Sequence, residues 1–328
     1  MDDTGIGSPP APDFVGISTW LNSQPLSLSA LQGKVVVVDF WTYSCVNCIR
    51  TIPYLRAWHE SYSDLGLVIV GVHRPEFNFE KVESNVLEAL ARENIKWPIA
   101  LDNQSATWDA YHNRYWPHKF LLDQHGRIRH DVIGEGQYEE TEVWIRKLLT
   151  ETGVNLSEVP LETSQAPTPV KYPITRELYA GTRWALGNYI GNAPISAVAG
   201  FSEPDVYQHD EFYLHGDWRL TPESAIHDRE TLGFEDFFSL VYTAASVNVV
   251  VAPSSASPVT LIVTHAGEPI PVALMGTDVD RDARGQTLLI VDTPRMYNVI
   301  AGGTVHTGKL RVFAKSKGLS LHSFTFGR

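Results

Sequence analysis

The sequence predicts two domains of different class: an α/β sandwich on a mixed sheet, then an all-β sandwich or jelly roll. Three observations carry this. Helix and strand periodicities alternate up to about residue 150, helical signals nearly vanish beyond residue 173, and a Pro-punctuated stretch with neither pattern lies between. A length of 328 residues suits two cores better than one enlarged core.

Residues 1–25 hold Pro9, Pro10, Pro12, Gly5, Gly7 and Gly16 and read as an irregular arm. The first domain is expected over residues 26–152. Val35–Phe40 is a β-branched run of the kind buried on both faces of a sheet. Ile49, Ile52, Leu55 and Trp58 recur at helical spacing over 46–62, and Leu67–Val72 is a second buried strand. Phe79–Glu93 reads as an amphipathic helix, 98–101 as extended chain and 106–112 as a short helix. Lys119–Asp123, a turn at His125-Gly126 and Ile128–Ile133 form an antiparallel hairpin, closed by a helix over 139–150. Residues 153–172, with Pro160, Pro167 and Pro169 among Thr, Ser and Glu, have the composition of a linker. Over 173–328 the runs Phe212–Leu214, Phe237–Thr243, Val247–Val251, Thr260–His265, Thr287–Asp292, Leu310–Ala314 and Ser320–Phe326 are short and β-rich. Most are bounded by Gly, Pro, Asp or Ser, the pattern of a β-sandwich.

With 26 Lys and Arg against 38 Asp and Glu, the formal charge of −12 argues against nucleic acid and anionic membrane surfaces as partners. No apolar run of about 18 residues is present. Met1-Asp2-Asp3 lacks the basic start and apolar stretch of a signal peptide. Cys45 and Cys48 are the only cysteines. Too few for a stapled scaffold, they leave a chain otherwise purged of thiols, which points to an oxidising compartment.

Cys45-Val46-Asn47-Cys48 follows a buried strand and opens a helix. The unpaired N–H groups and macrodipole of a helix start favour a thiolate, so Cys45 is the expected nucleophile, with a lowered pKa. Cys48, one turn further in, is the expected resolving thiol. Asp39 lies six residues before Cys45 inside the apolar strand. Desolvation there raises a carboxyl pKa and suits it to take the Cys48 proton. Pro53 is expected to kink the helix. A cis Pro117 would present the Trp116 backbone to an extended substrate. Tyr43 and Trp116 are the aromatic residues expected to be exposed and to touch that substrate. A zinc half-site is disfavoured because no second cysteine pair exists. No cofactor or metal is expected beyond the Cys45–Cys48 redox couple itself.

Val38-Asp39-Phe40-Trp41, Cys45-x-x-Cys48, Pro53 and Trp116-Pro117 before a strand together resemble the thioredoxin superfamily. The long segment 78–112 and the Phe120-Leu121-Leu122-Asp123 hairpin are similar to the extracytoplasmic TlpA and ResA type. The resemblance covers residues 25–150 closely. It covers 180–328 loosely, where the closing Ser323-Phe324-Thr325-Phe326-Gly327 resembles a β-sandwich similar to carbohydrate-binding modules. It implies an α/β thioredoxin-like sandwich acting in thiol–disulfide exchange with protein disulfides in the cell envelope. It further implies tethering to the plasma membrane, a membrane-embedded electron donor of the CcdA/DsbD type that is fused or separate, and a role related to cytochrome c biogenesis. Two departures bear on direction: Ser44 replaces the usual Trp before the first cysteine, and Val46-Asn47 replaces the usual Pro-containing pair.

Two other readings stand beside it. A thiol peroxidase places Thr three residues before the attacking cysteine, as Thr42 is, but needs a Pro where Val38 stands. A glycan- or partner-binding module carrying a redox-sensing domain is the other. For cell-wall carbohydrate, Trp184, Tyr189 and Trp218 are the candidate stacking residues.

Overall fold

The strand expected from the β-branched run forms over Val35–Trp41 (β2) and is buried at every position. It lies in the first of two compact units, Met1–Thr168 and Pro169–Arg328. The computed structural model describes residues 9–161, 173–183, 189–192, 198–253 and 257–328. Parallel β3 (Leu67–His73) and antiparallel β5 (His118–Leu122) flank β2. With β1 (Thr19–Leu21), β4 (Ile99–Leu101) and β6 (Ile128–Ile133), they make a mixed sheet of order β1-β4-β3-β2-β5-β6.

Alternation along β2 sorts the core into two layers. Val35, Val37 and Trp41 pack with Ile52, Leu55 and Trp58 of α1 (Val46–Tyr62) and with Ile145, Leu148 and Leu149. Val36, Val38 and Phe40 pack on the other face with Trp108, Tyr111 and Phe120. Asp39 shares parity with Val37 and Trp41, so the pleat aims it at the face covered by α1, the helix that carries Cys48. The remaining helices are α2 (Glu83–Arg92), α3 (Ala106–Ala110) and α4 (Tyr138–Glu151). Pro53 sits inside α1, which continues unbroken past it.

Two expectations change. The arm read as irregular supplies β1, whose Thr19–Leu21 pair antiparallel with β4. Asn22, at φ 62°, ends it by donating its Nδ2 to the carbonyls of Ile95 and Trp97. The helix expected over Phe79–Glu93 divides into a 3₁₀ turn at Asn78–Lys81 and α2, parted by extended Val82. The break turns the Glu80 carboxylate inward.

The second unit is all-β, an antiparallel sheet of 11 strands among the described residues. Phe237–Thr243 and Val247–Val251, expected as two strands, are one strand over Asp236–Ala252. A register shift between Ala244 and Ser246 lets it continue. Its first half lies between Phe212–Leu220 and Arg295–Ala314, its second between Arg295–Ala314 and Ser320–Gly327. Phe238, Leu240 and Tyr242 from the first half and Val247, Val249 and Val251 from the second enter one apolar core.

Gly71 of β3 admits its neighbours closely: a Cβ there would lie 2.5 Å from Ile99 Cδ1 and 3.0 Å from Trp41 Nε1. Gly71→Ala is expected to destabilise the first unit by about 1–3 kcal/mol, read as a lower urea midpoint. An unchanged midpoint would mean that Ile99 repacks at no cost.

Candidate active site

The chain leaves β2 at Trp41, turns through Thr42-Tyr43-Ser44 and enters α1 with Cys45 as the N-cap residue. The Cys45 Sγ accepts the Cys48 N–H at 3.3 Å, so the first turn of the helix directs an orphan donor at the sulfur. Both cysteines are free; Cys45 is half-buried, and Cys48 is 2% exposed. Burial pushes the Cys48 thiol well above its usual range, and the neighbouring Cys45 and Asp39 push it further.

Asp39 is buried and stands directly opposite Lys119 in the β2–β5 register. Desolvation raises its pKa to about 7 against the opposing pull of the Lys119 charge. Lys119 is itself buried, donates its Nζ to the Gly134 carbonyl at 3.1 Å, and is lowered by burial while Asp39 raises it. The sequence reading took Lys119 only as the first residue of a strand. Asp39 and Cys48 thus lie close enough under α1 for the carboxylate to act on the thiol, with the buried Lys119 paired beside Asp39 on β5.

Glu80 is a second residue that the sequence reading missed. It is fully buried. Its Oε1 accepts Thr42 Oγ1 at 2.6 Å, Ser44 Oγ at 2.6 Å and the Ser44 N–H at 3.2 Å. Its Oε2 accepts the N–H groups of Glu76 at 2.6 Å and Phe77 at 2.9 Å. Burial raises its pKa and these donors oppose the rise. The only signal in the chain is a carboxylate amid Phe77, Phe79 and Pro75, where a solvated helix face would carry fewer aromatic neighbours. His73, stacked on Tyr43 at 5.7 Å, is fully buried, and burial lowers its pKa to about 3.

The Trp116–Pro117 peptide is cis. Trp116 is half-buried and packs against the apolar layers on both faces of the sheet. Among the described residues its backbone N–H and C=O form no hydrogen bond, whereas the Pro117 carbonyl accepts Gly134 N–H at 2.8 Å.

Four expected positions need correction or placement. Tyr43 is only 2% exposed: the loop that brings Cys45 to the surface turns this ring inward onto His73 and Phe79. Trp218 is fully buried, its indole N–H donating to the His215 carbonyl at 2.8 Å and its ring against His227 and Phe238, so it offers no face to a sugar. Trp184 lies outside the described residues. Tyr189 is half-buried beneath the Arg176 guanidinium at 4.9 Å.

Residues 7–143 match the Redoxin family, and residues 175–327 match the family described as thioredoxin like C-terminal domain. Protein DipZ of Mycobacterium tuberculosis is 38% identical over 322 residues, which is 97% of this chain and 43% of DipZ. The chain therefore spans less than half the length of that curated relative. The thiol-disulfide oxidoreductase YkuV of Bacillus subtilis is 29% identical over 143 residues, 44% of this chain and 96% of YkuV. A solution structure of a thioredoxin-like protein in the oxidized form aligns with TM-score 0.41 at 29% identity, covering 44% of this chain and 97% of that one. The chain is thus built of a Redoxin-family first domain, which carries the CxxC pair at a helix start and an acidic strand residue beneath it, and an all-β second domain that matches the thioredoxin like C-terminal domain family.

Proposed function

We propose that the chain reduces protein disulfides on the outer side of the cell membrane, drawing electrons from a membrane-embedded donor of the CcdA/DsbD type. The position of Cys45 carries this reading: its half-exposed sulfur caps α1, with the buried Cys48 one turn behind. The Cys45 thiolate attacks one sulfur of the substrate disulfide, and the other sulfur leaves as a thiolate that takes up a proton. Cys48 then passes its proton to the Asp39 carboxylate and attacks the Cys45 sulfur. The second substrate sulfur is released, and two electrons have moved from the cysteine pair to the substrate. Asp39, at about 7, has both of its forms available near neutral pH, as a proton acceptor for the buried thiol requires.

The unpaired backbone of Trp116 supports docking of an extended substrate segment along Trp116–Pro117. Exposed Tyr115 and Ile133 flank that edge. Thr42 donates its hydroxyl proton to Glu80, an arrangement that favours disulfide exchange over a peroxidase in which Thr42 would serve the cysteine. The cell-envelope location, the membrane tether and the donor rest on the likeness to ResA-type proteins and to DipZ. Among the described residues no helix is long and apolar enough to cross a membrane. The second domain is proposed to hold the protein to cell-wall carbohydrate or to a partner, with Tyr189 the described aromatic residue left to stack.

Cys45→Ser is expected to abolish insulin reduction and Cys48→Ser to accumulate mixed disulfides; full turnover by Cys45→Ser would refute the assignment. For the direction, the Cys45/Cys48 couple should equilibrate near thioredoxin, about −270 mV, whereas a value near −120 mV would make the protein an oxidant. Asp39 supplies a pH test. Below about pH 4 its carboxyl is protonated in both folded and unfolded chains; from there to about 7 the folded state retains a proton that the unfolded state releases, and stability falls. The stability of Asp39→Asn relative to the parent should therefore rise between pH 4 and pH 8, by up to about 4 kcal/mol. Its resolution of mixed disulfides near neutral pH should slow by about tenfold or more. A stability difference that stays flat with pH would rule out a buried, titrating Asp39.

A further inference from the structure

Arg74 immediately follows β3, where its N–H donates to the Trp41 carbonyl at 3.1 Å. Trp41 is the last residue of β2 before the loop that carries Cys45. The Arg74 side chain runs the other way. Its guanidinium carbon lies 5.1 Å from the ring centre of Trp108 and 5.0 Å from that of Trp116, while those two rings lie 4.6 Å apart. Its Nε donates to Ser105 Oγ at 3.0 Å, on the residue that caps α3. The Trp108 backbone is held in turn, its amide N–H donating to the Asp102 carboxylate at 2.7 Å.

A planar cation over two indole faces gains most when both rings keep one orientation. Of the two, Trp108 is fixed by α3, so the contact transmits that rigidity to Trp116. Trp116 has no backbone hydrogen bond among the described residues to do the same. One residue thus ties the end of β2, which leads to Cys45, to the side chain beside Pro117.

We propose that Arg74 is a positioning residue for disulfide exchange: its guanidinium locks the Trp108–Trp116 ring pair and so sets the Trp116–Pro117 edge against which the substrate segment docks. This rests on the reading of that edge as the docking site. Arg74 touches no reacting atom. Its loss therefore acts on substrate capture rather than on the sulfur chemistry.

The test compares Arg74→Met, which keeps an apolar stem without charge, with Arg74→Lys, which keeps a cation. For insulin, Arg74→Met should raise KM about tenfold with kcat held within about twofold, and Arg74→Lys should recover most of the loss. Equal losses in both variants, or a fall in kcat at constant KM, would overturn the proposal. A second readout needs no turnover: the Trp116 indole N–H resonance, assigned with Trp116→Phe, should shift and broaden in Arg74→Met and hold in Arg74→Lys. An indole resonance unmoved in Arg74→Met would overturn the positioning role. Failure of the parent protein to reduce insulin would count against the proposed function alone.

Discussion

The Glu80 carboxylate is the constraint on which the geometry of the site depends. One of its oxygens gathers three donors from the turn before Cys45, the other two backbone donors from the segment after β3. A buried carboxylate is costly unless its lone pairs are met, and here each oxygen is met at least twice. Two pieces of chain far apart in sequence are thereby held at one distance. The turn that delivers Cys45 to the helix start is fixed from beneath, without help from any disulfide. Tyr43 is pinned between these anchored positions, which is why its ring faces inward.

Burial acts on the acidic residues of the site in one direction; the Lys119 charge opposes it at Asp39, whereas Cys45 and Asp39 add to it at Cys48. Asp39 and Cys48 are both pushed toward their protonated forms by desolvation. Lys119, in register with Asp39, limits that rise, and the Gly134 carbonyl keeps its ammonium in place. The result is a carboxyl that exchanges its proton near neutrality beside a thiol that holds its proton tightly. A thiol of that kind is a poor nucleophile for as long as it keeps its proton.

Much of this was legible in the residues. The β-branched run forms its doubly covered strand, the cysteine pair opens its helix, and Trp116-Pro117 stands at the start of its strand with a cis peptide. Each of these is written in local composition and spacing. Lys119 and Glu80 were hidden because their meaning lies in pairing: Lys119 matters through the residue opposite in the ladder, Glu80 through donors that are mainly backbone. The burial of Trp218 is not legible because an aromatic residue near a strand end carries no mark of which face it turns to, and here it turns into the core. The long strand Asp236–Ala252 reads as two in the sequence because the polar interruption at Ser246 looks like a turn, while in the ladder it is a bulge.

That shared strand has a mechanical consequence for the second domain. Because the strand Asp236–Ala252 is hydrogen-bonded to Phe212–Leu220 along its first half and to Ser320–Gly327 along its second, with Arg295–Ala314 beside both, none of these neighbours can peel away without pulling on one continuous backbone. A tug on any of these strands is therefore borne by covalent bonds as well as by contacts, and the sheet answers force as one body.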